Sequence, residues 1–327
     1  MCASIRTRLL LASLACALAP GAWALDIRVC LWEGTSPRRE VLKDYVGKYR
    51  GTITLQKNGG HWLVVNELDL EDYLYGVVGK EMHKDWPPEA LKAQAVCSRT
   101  VAVGKIVEAQ NRKQLYDVTA SVLHQVYGSC EDEKVIKAVE ETRGEVLADS
   151  GSLAPVYFHS CCGGRTTEPG EVWKGKSPPA LAGVGDEYCR DTPYYRWEKS
   201  FRKRALADAL GIGSVRDIEI EEQDGSGRVK TLSILTEDRR RIRVSGQDLR
   251  LQVNGKAAEF AQSQMIPGTM FTVSCTGDRV TFTGRGYGHG VGLCQWGARR
   301  MAESGVGYAG ILAAFFPRLQ IARLKED

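Results

Sequence analysis

The sequence predicts an α+β fold with a β-rich segment around residues 200–283. Runs with the period of strands and runs with the period of helices are mixed along the chain, without the regular rhythm of a doubly wound sheet. Hydrophobic residues make up 43% of the 327 residues and charged residues 26%. This composition allows a sizeable core and excludes a disordered chain.

Three short strands are predicted near the start of the chain. They cover Asp26–Trp32, Gly51–Gln56 and His61–Val65. Asn58-Gly59-Gly60 lies between the last two and is typical of a tight turn, because these residues tolerate a positive φ angle. We therefore expect the last two strands to form a hairpin.

Three helices are predicted next. Apolar residues at helical spacing indicate that the first helix covers Leu70–Val78 and continues beyond it. The second follows a Pro-Pro pair, which is tolerated at the first turn of a helix, and covers about Glu89–Glu108. The third covers Glu131–Arg143 and is stopped by Gly144.

The rest of the chain is predicted to contain further strands and two closing helices. These are the strands Leu153–His159, Asp217–Glu221, Val229–Leu235, Arg241–Val244, Met270–Ser274 and Val280–Thr283, and the helices Gln295–Ser304 and Tyr308–Phe315.

Residues 1–24 have the pattern of a signal peptide. Arg6 and Arg8 precede the apolar stretch Leu9–Leu18, and an Ala-x-Ala cleavage site ends at Ala24. No later apolar run approaches the 18 residues of a membrane span, so none is expected in the mature chain. The sequence thus predicts export to the periplasm or cell envelope, where disulfides are permissible.

Charge and motif patterns argue against nucleic-acid and nucleotide partners. A formal net charge of +4 is too small to indicate nucleic-acid binding. Residues 170–177 match the phosphate-loop pattern, but Pro178 and Pro179 follow, where the helix of such a loop should begin. We therefore expect no nucleotide cofactor.

Glu81 is the strongest candidate for a general acid. Its spacing puts it on the apolar side of the first predicted helix, near Met82 and Trp86, where partial burial would raise the pKa of a carboxyl group. The alternative is a surface ion pair with Lys80 or Lys84. Spacing alone does not decide between the two interpretations.

A glycine-rich segment near the end of the chain surrounds His289. Glycine stands at alternate positions from Gly284 to Gly292, which is costly in an ordinary strand. The pattern fits a backbone that a ligand or another chain segment approaches closely. A structural β-bulge with a hydrogen-bonded histidine is the alternative.

Three blocks of sequence resemble the SpoIID/LytB family. They read LEDYLYGVVGKEM with WPPEALKAQAVCSRT, VYFHSCCGGRTTEPGEVWKG with YCRDTPYYRW, and GRGYGHGVGLCQWGARRMAESG. With their spacers they span about residues 68–317. The resemblance implies a peptidoglycan lytic transglycosylase whose catalytic glutamate corresponds to Glu81.

This chemistry needs only one carboxyl group. Ordinary glycosidases use two, but when the sugar's own 6-hydroxyl is the nucleophile, one glutamate can act first as acid and then as base. The product is then a 1,6-anhydro-MurNAc end. Two sets of substrate contacts are predicted in a groove between two lobes: Tyr73, Tyr75 and Trp86 for sugar stacking, and Gln94, Arg99, His289 and Gln295 as polar contacts.

The resemblance also implies a metal bound by a histidine and cysteines of the second block. His159, Cys162 and Cys189 would supply three ligands of a tetrahedral zinc, with Cys161 or Asp186 as the fourth. A Cys162–Cys189 disulfide is the alternative. In both cases the cluster would hold a loop in place without taking part in bond cleavage.

The sequence therefore predicts a signal peptide over residues 1–24 and a SpoIID-like catalytic region over 25–327. The motifs lie in 25–200 and 284–327, and a β-rich subdomain covers 201–283. The expected substrate is the peptidoglycan glycan strand, and a cell-wall amidase is a candidate partner. The alternatives are a non-catalytic peptidoglycan-binding protein or amidase enhancer of the same family, or a zinc or thiol redox protein.

Overall fold

The computed structural model describes residues 25–35, 42–121, 124–173, 175–256 and 265–325. The predicted signal peptide lies outside these residues. The chain divides into two compact units. Of the described residues, the first unit contains those up to Val156, Ala302–Ala313 and those from Arg318 onward, and the second contains those within Tyr157–Met301 and Ala314–Pro317.

A four-stranded sheet opens the first unit. Its strands are β1 (Asp26–Gly34), β2 (Thr52–Asn58), β3 (His61–Asp69) and β4 (Val118–Thr119), in the order β2-β3-β1-β4. β3 is antiparallel to both of its neighbours, and β4 is parallel to β1. The predicted hairpin between β2 and β3 is confirmed, with Gly59 at a φ of +58°.

Three helices pack beside one another in the same unit. They are α1 (Leu70–Glu81), α2 (Pro88–Asn111) and α3 (Glu133–Glu140). The side chain of Asp69 caps α1 by accepting the N–H of Glu71 at 2.8 Å. Most of α1 is buried, so almost every side of this helix contacts protein.

The first unit is completed by a small sheet and by residues from the end of the chain. The sheet has the order β15-β5-β6, with β5 (Glu145–Asp149), β6 (Ser152–Leu153) and β15 (Gln320–Arg323). Most of helix α8 (Tyr308–Phe315) also belongs to this unit.

Two antiparallel three-stranded sheets form most of the second unit, in the orders β12-β13-β8 and β11-β10-β9. The strands are β8 (Arg196–Arg202), β9 (Asp217–Gln223), β10 (Val229–Leu235), β11 (Arg241–Ser245), β12 (Met270–Thr276) and β13 (Arg279–Arg285). Helices α5 (Lys203–Leu210) and α6 (Gly246–Gly255) also lie in this unit. Their shared core includes the fully buried Leu206, Leu232, Leu249 and Phe282.

A short parallel pair brings the second and third sequence blocks together. β7 (Phe158–His159) pairs with β14 (Leu293–Cys294), and helix α7 (Gln295–Glu303) begins directly after β14. A one-turn helix, α4 (Pro169–Val172), lies within the first half of the second block. The predicted continuous strand Leu153–His159 is wrong: β6 and β7 are separate two-residue strands.

The α+β class is confirmed by these mixed sheets and helices. Among the described residues, no helix is both long enough and apolar enough to span a membrane.

Candidate functional site

Glu81 is the last residue of α1 and is partly buried. Its carboxylate Oε1 accepts the backbone N–H of Val126 at 2.9 Å. The next residue, Met82, is buried, as the apolar pattern predicted. Lys84, one of the two candidate surface partners, lies 3.3 Å from Asp132.

Two glycines in α1 allow segment 125–130 to lie directly against the helix. A Cβ atom on Gly76 would lie 2.2 Å from the carbonyl oxygen of Gly128, and one on Gly79 would lie 2.5 Å from Sγ of Cys130. Glycine lowers helix stability by about 1 kcal/mol relative to alanine, so these positions favour close packing over helix propensity. The close approach brings the Val126 N–H to the glutamate.

Side-chain bonds fix the same segment on its other sides. Nε2 of Gln125 donates to the carbonyl oxygen of Ser98 at 3.2 Å. The Tyr127 hydroxyl accepts a bond from Nδ2 of Asn66 at 3.0 Å, and its ring lies 5.0 Å from that of Tyr73. The group that donates to the candidate catalytic carboxylate is therefore held by a buried network.

Arg99 and Glu71 form a buried bidentate ion pair between α2 and α1. Nε and Nη2 of Arg99 donate to the two carboxylate oxygens at 2.8 and 2.6 Å, and the two side chains are 0% and 4% exposed. Nη1 also donates to the carbonyl oxygen of Glu145 at 3.0 Å, and Gly144 N–H donates to Glu71 at 3.2 Å. Glu71 lies in the first turn of α1 and is buried, because α1 is buried on nearly all sides.

The other predicted contacts in the first unit differ in accessibility. Tyr73 and Gln94 have no exposed surface, and Tyr75, which is 6% exposed, donates its hydroxyl to Glu140. Burial raises the pKa of both tyrosines. A direct sugar contact by these three residues or by Arg99 has no support from their placement, because their side chains face the interior of the unit. Trp86 is partly exposed.

In the second unit, Cys162, Asp186, Cys189 and Cys294 form a buried cluster that could hold a metal. Their four candidate ligand atoms all lie within 4.8 Å of one another. Sγ of Cys162 is 3.4 Å from Sγ of Cys189 and 3.1 Å from Oδ2 of Asp186. The alternative disulfide is not formed, since a covalent S–S bond measures about 2.05 Å.

Backbone N–H groups point at two of these sulfur atoms. Sγ of Cys162 accepts from Gly164 at 3.3 Å, and Sγ of Cys294 accepts from Cys162 and Gly297 at 3.2 and 3.3 Å. Cys294 directly precedes α7, whose N-terminal end favours negative charge. The thiol hydrogen bond from Cys189 lowers the pKa of Cys162, whereas burial raises the pKa of Cys294. The backbone N–H groups and the helix N-terminus suit thiolate ligands of a divalent metal.

The structure changes the predicted ligand set. Cys162, Cys189 and the alternative ligand Asp186 belong to the group of four whose ligand atoms lie within 4.8 Å of one another; His159 and Cys161 are not in that group, although the Cys161 thiol interacts with Cys189 and Cys294. Nδ1 of His159 is 3.0 Å from the carbonyl oxygen of Val291, and Sγ of Cys161 is 3.7 Å from the Thr192 hydroxyl. Cys294 was not predicted as a metal ligand from the sequence. Its position in the glycine-rich block was the one signal that could have indicated it.

His289 and Gln295 belong to the second unit, whereas Glu81 belongs to the first. Nδ1 of His289 accepts the N–H of Val291 at 3.1 Å. Its ring lies 5.0 Å from that of Trp173, which in turn lies 4.9 Å from that of Tyr157. Trp173 is 37% exposed. These two aromatic residues were not singled out from the sequence, although both stand in the second block.

Gln295 is the first residue of α7 and is 6% exposed. Its amide therefore has little surface for a ligand in this structure.

Comparisons with known proteins identify the class of protein. The family model described as SpoIID, stage II sporulation protein, matches residues 58–148, which include Glu81. An uncharacterized protein of Brachyspira hyodysenteriae is 33% identical over 281 residues, which cover 84% of this chain and 72% of that protein. The chain belongs to the SpoIID family.

Two relatives from Bacillus subtilis have informative names. Stage II sporulation protein D is 29% identical, with 79% of this chain and 76% of that protein covered. The protein named Amidase enhancer is also 29% identical, with 75% of this chain but only 39% of that protein covered.

Proposed function

We propose that this protein is an exported peptidoglycan lytic transglycosylase that cleaves the MurNAc–GlcNAc bond with Glu81 as its single general acid/base. Membership of the SpoIID family and the amidase-enhancer relative support a cell-wall-related function. The observation that carries the finer assignment is the placement of Glu81, at a helix end and oriented by the Val126 N–H.

The reaction uses Glu81 twice. In its protonated form it donates a proton to the glycosidic oxygen as the bond from MurNAc C1 breaks, which releases the 4-hydroxyl of GlcNAc. The resulting carboxylate then accepts the proton of the MurNAc 6-hydroxyl while that oxygen attacks C1. The proton balance closes without water, and the product is a 1,6-anhydro ring. The Val126 N–H stabilises the carboxylate form that the second step requires.

The other acidic residues of α1 are engaged elsewhere. Glu71 is held by Arg99, and Asp72 lies 2.7 Å from Arg50. Neither is placed to act as the second carboxylate of an ordinary glycosidase. This arrangement supports a mechanism with one carboxyl group.

For sugar binding we propose the aromatic surface formed by Tyr157 and Trp173 beside His289. Flat aromatic faces with a polar group nearby are typical of ligand sites. The exposure of Trp173 makes this surface a better candidate than the buried tyrosines of α1.

We further propose that the cluster of Cys162, Asp186, Cys189 and Cys294 holds a structural zinc ion. Three sulfurs and one carboxylate oxygen at these separations suit tetrahedral coordination, and all four residues are buried. Such a zinc ion links three separate stretches of chain and so stabilises the fold of the second unit. It supplies no step of the cleavage.

The activity is tested with peptide-stripped glycan strands and mass spectrometry of the products. Wild type should release 1,6-anhydro-MurNAc ends, and Glu81→Gln should release none while still binding the strands. Glu133→Gln, an exposed glutamate at the start of α3, is the matched control and should remain active. Absence of anhydro product from the wild type would refute the proposal.

A second candidate function follows from the amidase-enhancer relative. In that case the protein would bind glycan strands and raise the rate of an added cell-wall amidase without cleaving the strands itself. The variant Glu81→Gln distinguishes the two functions, because an enhancer that acts by binding glycan strands should still raise the amidase rate in this variant.

A further inference from the structure

We propose that Arg228 is the buried counter-charge of the metal centre formed by Cys162, Asp186, Cys189 and Cys294, and that it sets how tightly this centre holds zinc. The proposal rests on the structural zinc part of the proposed function. It does not depend on the transglycosylase reaction.

Arg228 is buried, and no described carboxylate bonds its guanidinium directly. It is 4% exposed, and its guanidinium donates to carbonyl and hydroxyl oxygens. Nη1 donates to the carbonyl oxygen of Arg165 at 2.9 Å and to Oγ of Ser226 at 2.8 Å. Asp224 accepts the backbone N–H of Arg228 at 2.9 Å and the hydroxyl of Ser226 at 2.6 Å, so its charge acts on the guanidinium through Ser226 without a direct bond.

The same guanidinium contacts the metal cluster through the backbone. Nη2 of Arg228 donates to the carbonyl oxygen of Cys162 at 2.6 Å. Cys162 is a member of the cluster, so the positive charge lies directly beside it. A guanidinium is an effective partner for negative charge at a buried position, because it cannot readily lose its proton and is less strongly hydrated than an ammonium group.

The glycine-rich motif makes room for this side chain. A Cβ atom on Gly290 would lie 2.2 Å from Nη2 of Arg228 and 2.3 Å from its Cζ. Gly290 also has a φ of +82°, which favours glycine. The motif that sequence analysis associated with close approach of a ligand therefore accommodates a buried cation at this position.

Charge balance gives this buried cation a role at the metal centre. A divalent ion bound by three thiolates and one carboxylate carries a net charge of −2, which is unfavourable in the interior. Arg228 reduces that charge by one. Arg228 should therefore stabilise the zinc-loaded protein more than the zinc-free protein.

The test compares Arg228→Gln and Arg228→Lys in the full chain. Zinc affinity is measured by competition with a chromophoric chelator, and thermal unfolding is followed before and after zinc removal. Changes in residues that support metal ligands typically lower metal affinity by about 10–100-fold, so we expect a loss in that range for Arg228→Gln and a much smaller one for Arg228→Lys. Arg228→Gln should lower the unfolding temperature of the zinc-loaded protein more than that of the zinc-free protein.

Arg250→Gln is the control for loss of a guanidinium in the same unit. Nε of Arg250 donates to the carbonyl oxygen of Pro267 at 3.0 Å, and its loss should leave zinc affinity unchanged. Unchanged zinc affinity in Arg228→Gln would overturn the proposal, as would equal destabilisation of the loaded and zinc-free forms. Failure of the wild type to bind added zinc would also overturn it. Because every readout is zinc binding or unfolding, these outcomes are independent of glycan cleavage.

Discussion

The buried Arg99–Glu71 pair gives a prediction that separates a structural role from substrate binding. We expect Arg99→Met to lower the free energy of unfolding by about 3–5 kcal/mol, because it leaves a buried carboxylate without its partner. Glu71 would keep the Gly144 N–H but lose both charge-assisted bonds from Arg99. The measurement is urea denaturation followed by circular dichroism.

Two further variants make this prediction specific. Arg50→Met breaks two ion pairs that lie at the surface, where the Arg50 side chain is 39% exposed, and should cost at most about 1 kcal/mol. Adding Glu71→Leu to Arg99→Met should recover much of the lost stability, since the unpaired buried charge is then removed.

A different result would restore the original interpretation of Arg99 as a substrate contact. In that case the free energy of unfolding of Arg99→Met would lie within about 1 kcal/mol of the wild-type value, and the variant would lose glycan binding. The present structure predicts the opposite order: a large loss of stability, and normal glycan affinity in the fraction that remains folded.

Three other predictions follow from the described contacts. Gly79→Ala should lower the free energy of unfolding by about 1–3 kcal/mol and reduce glycan cleavage, because the added methyl group displaces Cys130 and with it the segment that donates to Glu81. A variant with wild-type stability and wild-type cleavage would show that close packing at Gly79 is unnecessary. Trp173→Ala should weaken binding of glycan strands in a sedimentation assay and leave thermal unfolding nearly unchanged; unchanged binding would remove the aromatic surface from the proposal. Burial lowers the pKa of His159 to about 3. In zinc-free protein, the stability that neutral His159 contributes should therefore be fully present above about pH 6.5 and should fall as the pH drops towards 3, because the unfolded state takes up a proton that the folded state does not. His159→Asn should flatten this pH dependence of unfolding, and a pH profile identical to that of wild type would contradict the assignment of the effect to His159.

The sequence predicted the elements around Glu81 well, because their signals are local. The helix pair was expected from apolar spacing and from the Pro-Pro pair, and α1 and α2 are present with nearly those bounds. The hairpin before them followed from its turn residues. In contrast, α5 and α6 were missed. Both are short helices within a segment where strand patterns dominate.

The partners of buried polar residues could not be predicted in the same way. Arg99 and Glu71 are 28 residues apart, and nothing in the spacing of either indicates the other. Because α1 is buried on almost all sides, the apolar spacing of this helix could not show that Glu71 is buried. Cys162 and Cys294 are 132 residues apart, so the metal cluster has no compact spacing motif.

Cleavage of peptide-stripped glycan strands in ¹⁸O-labelled water tests the central assignment most directly. The proposed reaction uses the sugar's own hydroxyl, so wild type should give MurNAc ends that are lighter than the hydrolysis product by one water and contain no ¹⁸O. Glu81→Gln should give no such ends. Reducing ends that carry ¹⁸O would show hydrolysis instead, and anhydro product from Glu81→Gln would show that another residue supplies the proton.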